Sequence, residues 1–213
     1  MRFIKNIILF LAFFCITACC ERAEYANRAD AIAAQIHDRD SKYVVVACHR
    51  GDWRNFPENS IPAIESVIAM EADKVEIDLK MTADSVLVLS HDRDVRRCTN
   101  FSSVFRGEPE KSAKVSDLTL KEIKRLSLKR AHGVAIDTVH MPTLREALKC
   151  TKDRICVNVD QGYEFYDQVL AITEEMGVTG QVLIKGSRRT HDLTAAVRTV
   201  CSEKPRKTGT NLV

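Results

Sequence analysis

Two carboxylates stand two residues apart in a segment whose other residues call for burial. In Lys74-Val75-Glu76-Ile77-Asp78-Leu79 the apolar residues alternate with the acids. Strand side chains alternate with a period of two, so Val75, Ile77 and Leu79 share one face and Glu76 and Asp78 the other. Two acids that close repel each other and lose hydration unless a cation lies between them. His49-Arg50-Gly51 follows one apolar run and His91-Asp92 ends another, while Pro57-Glu58-Asn59-Ser60 lies between. Imidazole titrates near neutrality and suits proton transfer. Arginine grips a phosphoryl oxygen by a two-pronged contact that lysine cannot copy. Histidines, an acid pair and an arginine at strand ends make a set suited to metal-assisted phosphoryl transfer.

The elements that must position these residues alternate between strand and helix. Tyr43–Cys48 reads as a strand, and Ser60–Met70 as a helix capped by Ser60. Strands at Lys74–Lys80 and Val86–Ser90 follow. Arg93–Ser116 is a polar, non-periodic excursion of the length that functional loops have. Helices are expected over Thr119–Leu128, with Glu122 in a capping box, and over Thr143–Cys150. Then come a strand at Arg154–Asp160, a helix at Glu164–Met176 stopped by Gly177, a strand at Gln181–Lys185 and a helix at Thr190–Val200. This order is that of an α/β fold with parallel strands and helical crossovers. Parallel strands would bring the carboxyl ends of the first, second and Arg154–Asp160 strands to one rim.

The chain has 213 residues, 45% of them hydrophobic and 29% charged, a globular composition. A net charge of +3 is too small for a nucleic-acid surface, and no nucleic-acid partner is expected. Arg2 and Lys5 precede an apolar stretch at Ile7–Phe14, so residues 1–18 read as a signal peptide. It ends in Ile16-Thr17-Ala18-Cys19, which resembles a bacterial lipobox; that resemblance implies acylation of Cys19, export and anchoring to a bacterial membrane. An ordinary secretory signal is the plainer alternative. Residues 19–42 read as a tether with a short helix, residues 43–200 as the folded domain and residues 201–213 as a polar tail. Cys48 and Cys156 fall in apolar runs and read as small core residues, and no disulfide framework or zinc spacing is evident.

His49-Arg50-Gly51, Pro57-Glu58-Asn59-Ser60, Glu76-x-Asp78, His91-Asp92, Arg97-Cys98-Thr99-Asn100 and Met141-Pro142-Thr143-Leu144 occur in order. This ordered set resembles that of the glycerophosphodiester phosphodiesterase family, from about Val44 to Lys185. The resemblance implies a TIM-type (β/α) barrel, one divalent cation (calcium or magnesium), and hydrolysis of a small glycerophosphodiester to glycerol 3-phosphate and an alcohol. It makes His49 and His91 the catalytic histidines and Glu76 and Asp78 cation ligands. Asp160 falls where the family carries a third acidic ligand. Arg50 faces the substrate phosphate. Lys185 either joins it there or is a strand-end surface lysine. Glu58 either orients His49 or sits at a helix start favoured by the dipole. Asp92 either orients His91 or holds its loop.

The barrel type needs eight staves and about 250 residues, whereas four staves are legible here. The expectation is therefore a shortened member, about the first half of the barrel plus an inserted segment, with two open sheet edges and an exposed apolar inner face. Two other functions follow from the same residues. One is an inactive domain that binds a phosphate or a cation; the other is a phospholipase-like barrel, disfavoured because Phe101–Phe105 is only faintly apolar as a membrane-facing loop.

Overall fold

A computed structural model describes residues 25–130, 133 and 135–186. The signal segment, Cys19, the expected helix at Thr190–Val200 and the polar tail lie outside the described residues. The first helix, α1 (Arg28–His37), is capped by Asn27 and buries Ala29 and Ile32. Arg28 ties it to the loops that precede Lys74 and Cys156, donating to the carbonyls of Glu71, Ala72 and Arg154. That contact closes the amino-terminal end of the sheet.

The principal sheet contains β1 (Ala47–Cys48), β2 (Lys74–Met81), β3 (Leu87–Leu89), β6 (Cys156–Asp160) and β7 (Val182–Ile184). Its order is β1-β2-β6-β7, all parallel, with β3 antiparallel on the far part of β2. Helices α2 (Ile61–Ala69), α5 (Leu144–Thr151) and α6 (Tyr166–Met176) are the crossovers. Ser60 caps α2, Thr143 and Glu146 form a capping box on α5, and Gly177 ends α6 in the left-handed conformation. Val75, Ile77, Leu79, Val157 and Val159 pack with Ile64, Val67, Leu144, Leu148 and Val169 in one core. Strands buried against helices on one side and twisted in parallel make a segment of a TIM-type barrel.

Several elements differ from the sequence expectation. The Tyr43–Cys48 strand is paired only at Ala47–Cys48, and Tyr43, Val44 and Val46 are exposed. Among the described residues β1 has a partner on one side only, so apolar residues on this edge have nothing to bury against. The helix expected over Thr119–Leu128 stops after one turn, α4 (Leu120–Ile123). Its remainder is β4 (Ser127–Lys129), paired antiparallel with β5 (Ala135–His140). The Arg93–Ser116 excursion is not an open loop. It carries α3 (Phe101–Val104) and a backbone bridge between Asp94 and Lys114. Val95, Phe101, Phe105, Val115, Leu118, Ile123, Leu126, Leu128 and Met141 give it a second core. The inner barrel face is not apolar, because alternation puts Glu76, Asp78, Lys80, Asn158 and Asp160 there.

Candidate active site

The parallel register brings the chemistry to one rim. Cys48 pairs with Val75, so His49 emerges beside Glu76, and its Nε2 lies 3.8 Å from Glu76 Oε1. Asp78 pairs with Asp160 across β2 and β6. The chain then turns sharply: Arg50 and Gly51 both have positive φ, 56° and 74°. A Cβ on Gly51 would stand 2.9 Å from the Ala63 backbone, so only glycine lets this turn rest on α2. Asn59 is also left-handed, with φ of 54°, and its backbone N–H donates to the Arg50 carbonyl. Strained backbone of this kind concentrates at functional sites.

Asp78 is completely buried. Asn59 Nδ2 donates to its Oδ2 at 2.8 Å, and the Asp78 backbone N–H donates back to Asn59 Oδ1 at 3.1 Å. Arg50 Nε lies 3.4 Å from Oδ2. Neither that Nε nor Asp78 Oδ1 has a hydrogen-bond partner, though both are buried. A buried carboxylate oxygen left bare is costly.

A chain of alternating charge leads from this acid to His91. Arg50 Nη1 donates to Glu58 Oε1 at 3.1 Å. Arg97 grips Glu58 with both Nη atoms, at 3.0 and 2.7 Å, while its Nε donates to Asp92. The other Asp92 oxygen lies 2.7 Å from His91 Nδ1. Burial works to raise the carboxyls of Glu58 and Asp92. The hydrogen bonds and charge of Arg97, with Arg50 on Glu58 and His91 on Asp92, outweigh it and hold both below the usual range. The Arg97 guanidinium is correspondingly raised, chiefly by its bonds to Glu58 and Asp92.

Depressed carboxyls contribute stability that is complete above their ordinary values, 4.5 for Glu58 and 3.8 for Asp92, and is lost as the pH falls through the lowered ones. The denaturation midpoint should therefore decline below about pH 4. The decline should be shallower in a Glu58→Gln, Asp92→Asn double variant, as urea titrations across pH would show.

Sequence expectation and structure part at several residues. Glu58 touches Arg50 and Arg97, not His49. Asp92 Oδ1 lies within hydrogen-bond distance of His91 Nδ1. The Lys185 ammonium lies 3.4 Å from Asp160 Oδ1, so it pairs with an acid of the site. Glu76, Asp78 and Asp160 share a face but do not converge, and among the described residues no three His, Cys, Asp or Glu side chains are gathered to hold a metal. Each acid is turned to a protein partner: Glu76 to His49, Asp78 to Asn59, and Asp160 to Lys185 and the Gln161 N–H. The donor chemistry, three hard carboxylates with one buried oxygen bare, nevertheless fits calcium or magnesium better than zinc.

Asn59, Arg97 and Lys80 also reach this rim, and no single motif marks them as site residues in the sequence. Asn59 and Arg97 lie inside motifs already singled out, but their partners are distant in sequence. Lys80 has the same β2 alternation as Glu76 and Asp78. Its ammonium donates to Leu79 O and to Gln161 Oε1, and burial lowers its pKa.

An imidazole held by a carboxylate, a second imidazole beside an acid, and an arginine over a buried aspartate line the carboxyl rim of a TIM-type barrel segment. The chain belongs to the glycerophosphoryl diester phosphodiesterase family, which it matches over residues 49–205. It is 37% identical over 117 residues to a glycerophosphodiester phosphodiesterase of Caldanaerobacter subterraneus subsp. tengcongensis, a match covering 54% of this chain and 44% of the relative. It is 31% identical over 115 residues to human glycerophosphodiester phosphodiesterase 1, covering 53% and 32%. A crystal structure of a glycerophosphoryl diester phosphodiesterase from Parabacteroides distasonis superposes with a TM-score of 0.61 at 26% identity, over 73% of this chain and 51% of that one. An Agrobacterium tumefaciens structure, at 20% identity and a TM-score of 0.59, shares the fold. The chain thus spans about half the length, or less, of these relatives.

Proposed function

We propose that this chain carries the acid–base and phosphate-binding half of a glycerophosphodiester phosphodiesterase, hydrolysing a glycerophosphodiester to glycerol 3-phosphate and an alcohol. The observation that supports it best is the line of hydrogen bonds from His91 through Asp92, Arg97 and Glu58 to Arg50, which lies 3.4 Å from buried Asp78. It joins a proton-transfer group to a phosphate clamp on one rim.

Asp92 fixes the His91 ring through Nδ1, which leaves Nε2 to hold or pass a proton. His49, half-exposed beside Glu76, is the second proton carrier. One imidazole takes a proton from the attacking water as its oxygen bonds to phosphorus and the bond from phosphorus to the alcohol oxygen breaks, and the other gives a proton to that departing oxygen. Arg50, held by Glu58 at Nη1 and beside Asp78 at Nε, offers the rest of its guanidinium to a phosphoryl oxygen. Glu76, Asp78 and Asp160 would hold the divalent cation, which when bound neutralises phosphoryl charge. The charged start and apolar run of residues 1–18 support export, with acyl chains on Cys19 as the anchor.

The test is release of glycerol 3-phosphate from glycerophosphocholine by the full chain, with EDTA and with calcium or magnesium. Activity restored by a divalent cation and absent in Glu76→Ala is the expected result, and activity indifferent to EDTA would exclude the cation. The three acids do not converge, and this observation favours a second reading, a domain that binds phosphate or a cation without turnover. Cation binding with no glycerol 3-phosphate released would establish that reading.

A further inference from the structure

We propose that Arg97 is a positioning residue that sets His91 and Arg50 in their working orientations together, a role that rests on the phosphodiesterase reading. Its guanidinium touches neither of them. It makes a fork-to-fork contact with Glu58 and uses its remaining edge on Asp92. Both carboxylates are shared, Glu58 Oε1 with Arg50 and Asp92 Oδ1 with His91. One planar cation therefore sets the angle of two acids, and each acid sets the angle of one group of the site.

An exposed ion pair would contribute little, and the Arg97 side chain is itself 52% exposed. The acids it holds are not: Glu58 and Asp92 are 19% and 27% exposed. Without the guanidinium, each would keep its other partner but lose the contact that fixes its direction. Lysine cannot replace it, because a single ammonium lacks the planar fork that spans two carboxylates.

The backbone that carries Arg97 is held by the second core. Thr99 Oγ1 donates to Val95 O at 2.7 Å, and the Lys129 N–H donates to Cys98 O at 2.8 Å. The Asn100 N–H donates to Ser127 O, and Asn100 Oδ1 accepts from the Ser127 N–H. Cys98, next in the chain, is buried with its thiol pushed up to about 11. The excursion beyond β3 thus delivers one guanidinium to the barrel rim from a separately packed base.

The experiment compares Arg97→Ala, Arg97→Lys and, as a control, Arg96→Gln, whose guanidinium pairs with Asp94 and lies over the Phe101 ring, with no contact to Glu58 or Asp92 among the described residues. Outer residues that orient catalytic groups typically cost about 10- to 100-fold when removed. Arg97→Ala should lose that much in kcat on glycerophosphocholine, and guanidinium ion in the buffer should restore part of it. Arg97→Lys should fall between, with Arg96→Gln unaffected. In the same proteins without substrate, nitrogen NMR of the His91 ring should show a single Nδ1–H tautomer that becomes a mixture in Arg97→Ala. A His91 tautomer unchanged in Arg97→Ala overturns the proposal, as does a kcat loss that guanidinium does not restore and that follows a lowered melting temperature. A chain that never hydrolyses the diester sinks the phosphodiesterase reading, while the NMR result still decides the role of Arg97.

Discussion

Replacing either His49 or His91 by alanine should lower turnover of a glycerophosphodiester by a hundredfold or more, the usual scale for removing a general acid or base. Binding of the divalent cation should be largely retained, since neither ring is among the three acids that would hold it. The two losses have different origins. His91 is fixed through Asp92, so its loss removes an oriented proton carrier. His49 is 57% exposed and, among the described residues, pairs with Glu76 at 3.8 Å, so its orientation depends more on bound substrate. Steady-state kinetics with calorimetric cation titration on both variants would check this. Turnover that survives both substitutions would rule out the acid–base scheme.

Arg50→Met should be the most destabilising change at the site, by about 3–5 kcal/mol, the cost of leaving a buried charge without its partner. Asp78 is completely buried and already has one bare oxygen; without Arg50, Asn59 and the charge of Lys80 would be left to compensate it. Removing both charges with Arg50→Met and Asp78→Asn should recover most of the loss, because replacing a whole buried pair is far milder than breaking it. Calcium or magnesium should raise the urea midpoint of Arg50→Met more than that of the unsubstituted protein, since a ligand of the folded state stabilises by mass action. Urea titrations of the three proteins decide the matter. An Arg50→Met variant as stable as the parent would show that the Asp78 charge is compensated elsewhere.

The strand and helix order of the barrel was legible because burial on one face imposes a period of two or near four wherever an element packs on a core. Val75, Ile77 and Leu79 announced β2, and Thr143 with Glu146 announced the start of α5. The errors fall where that rule weakens. Tyr43 to Val46 is apolar but lies on an edge, and among the described residues Tyr43, Val44 and Val46 stay exposed. Ser127 to Lys129 follows a true helix start at Thr119, and tertiary pairing with β5 decided that it is a strand.

For the candidate site, residue types and spacing alone singled out the acid pair, both histidines and the arginine, because a strand's alternation and a motif's order are local properties. Which of these groups meet was decided only by the tertiary structure. Glu58 and Arg97 are 39 residues apart and Asn59 and Asp78 are 19 apart, and no local rule joins them. Parallel pairing of β1, β2 and β6 put His49, Asp78 and Asp160 on one rim, and the second core brought Arg97 across to it. The register of the ladders and the packing of that core are global, low-energy solutions for the whole chain. Hence the chemistry could be read one residue at a time, while the network that orients it could not.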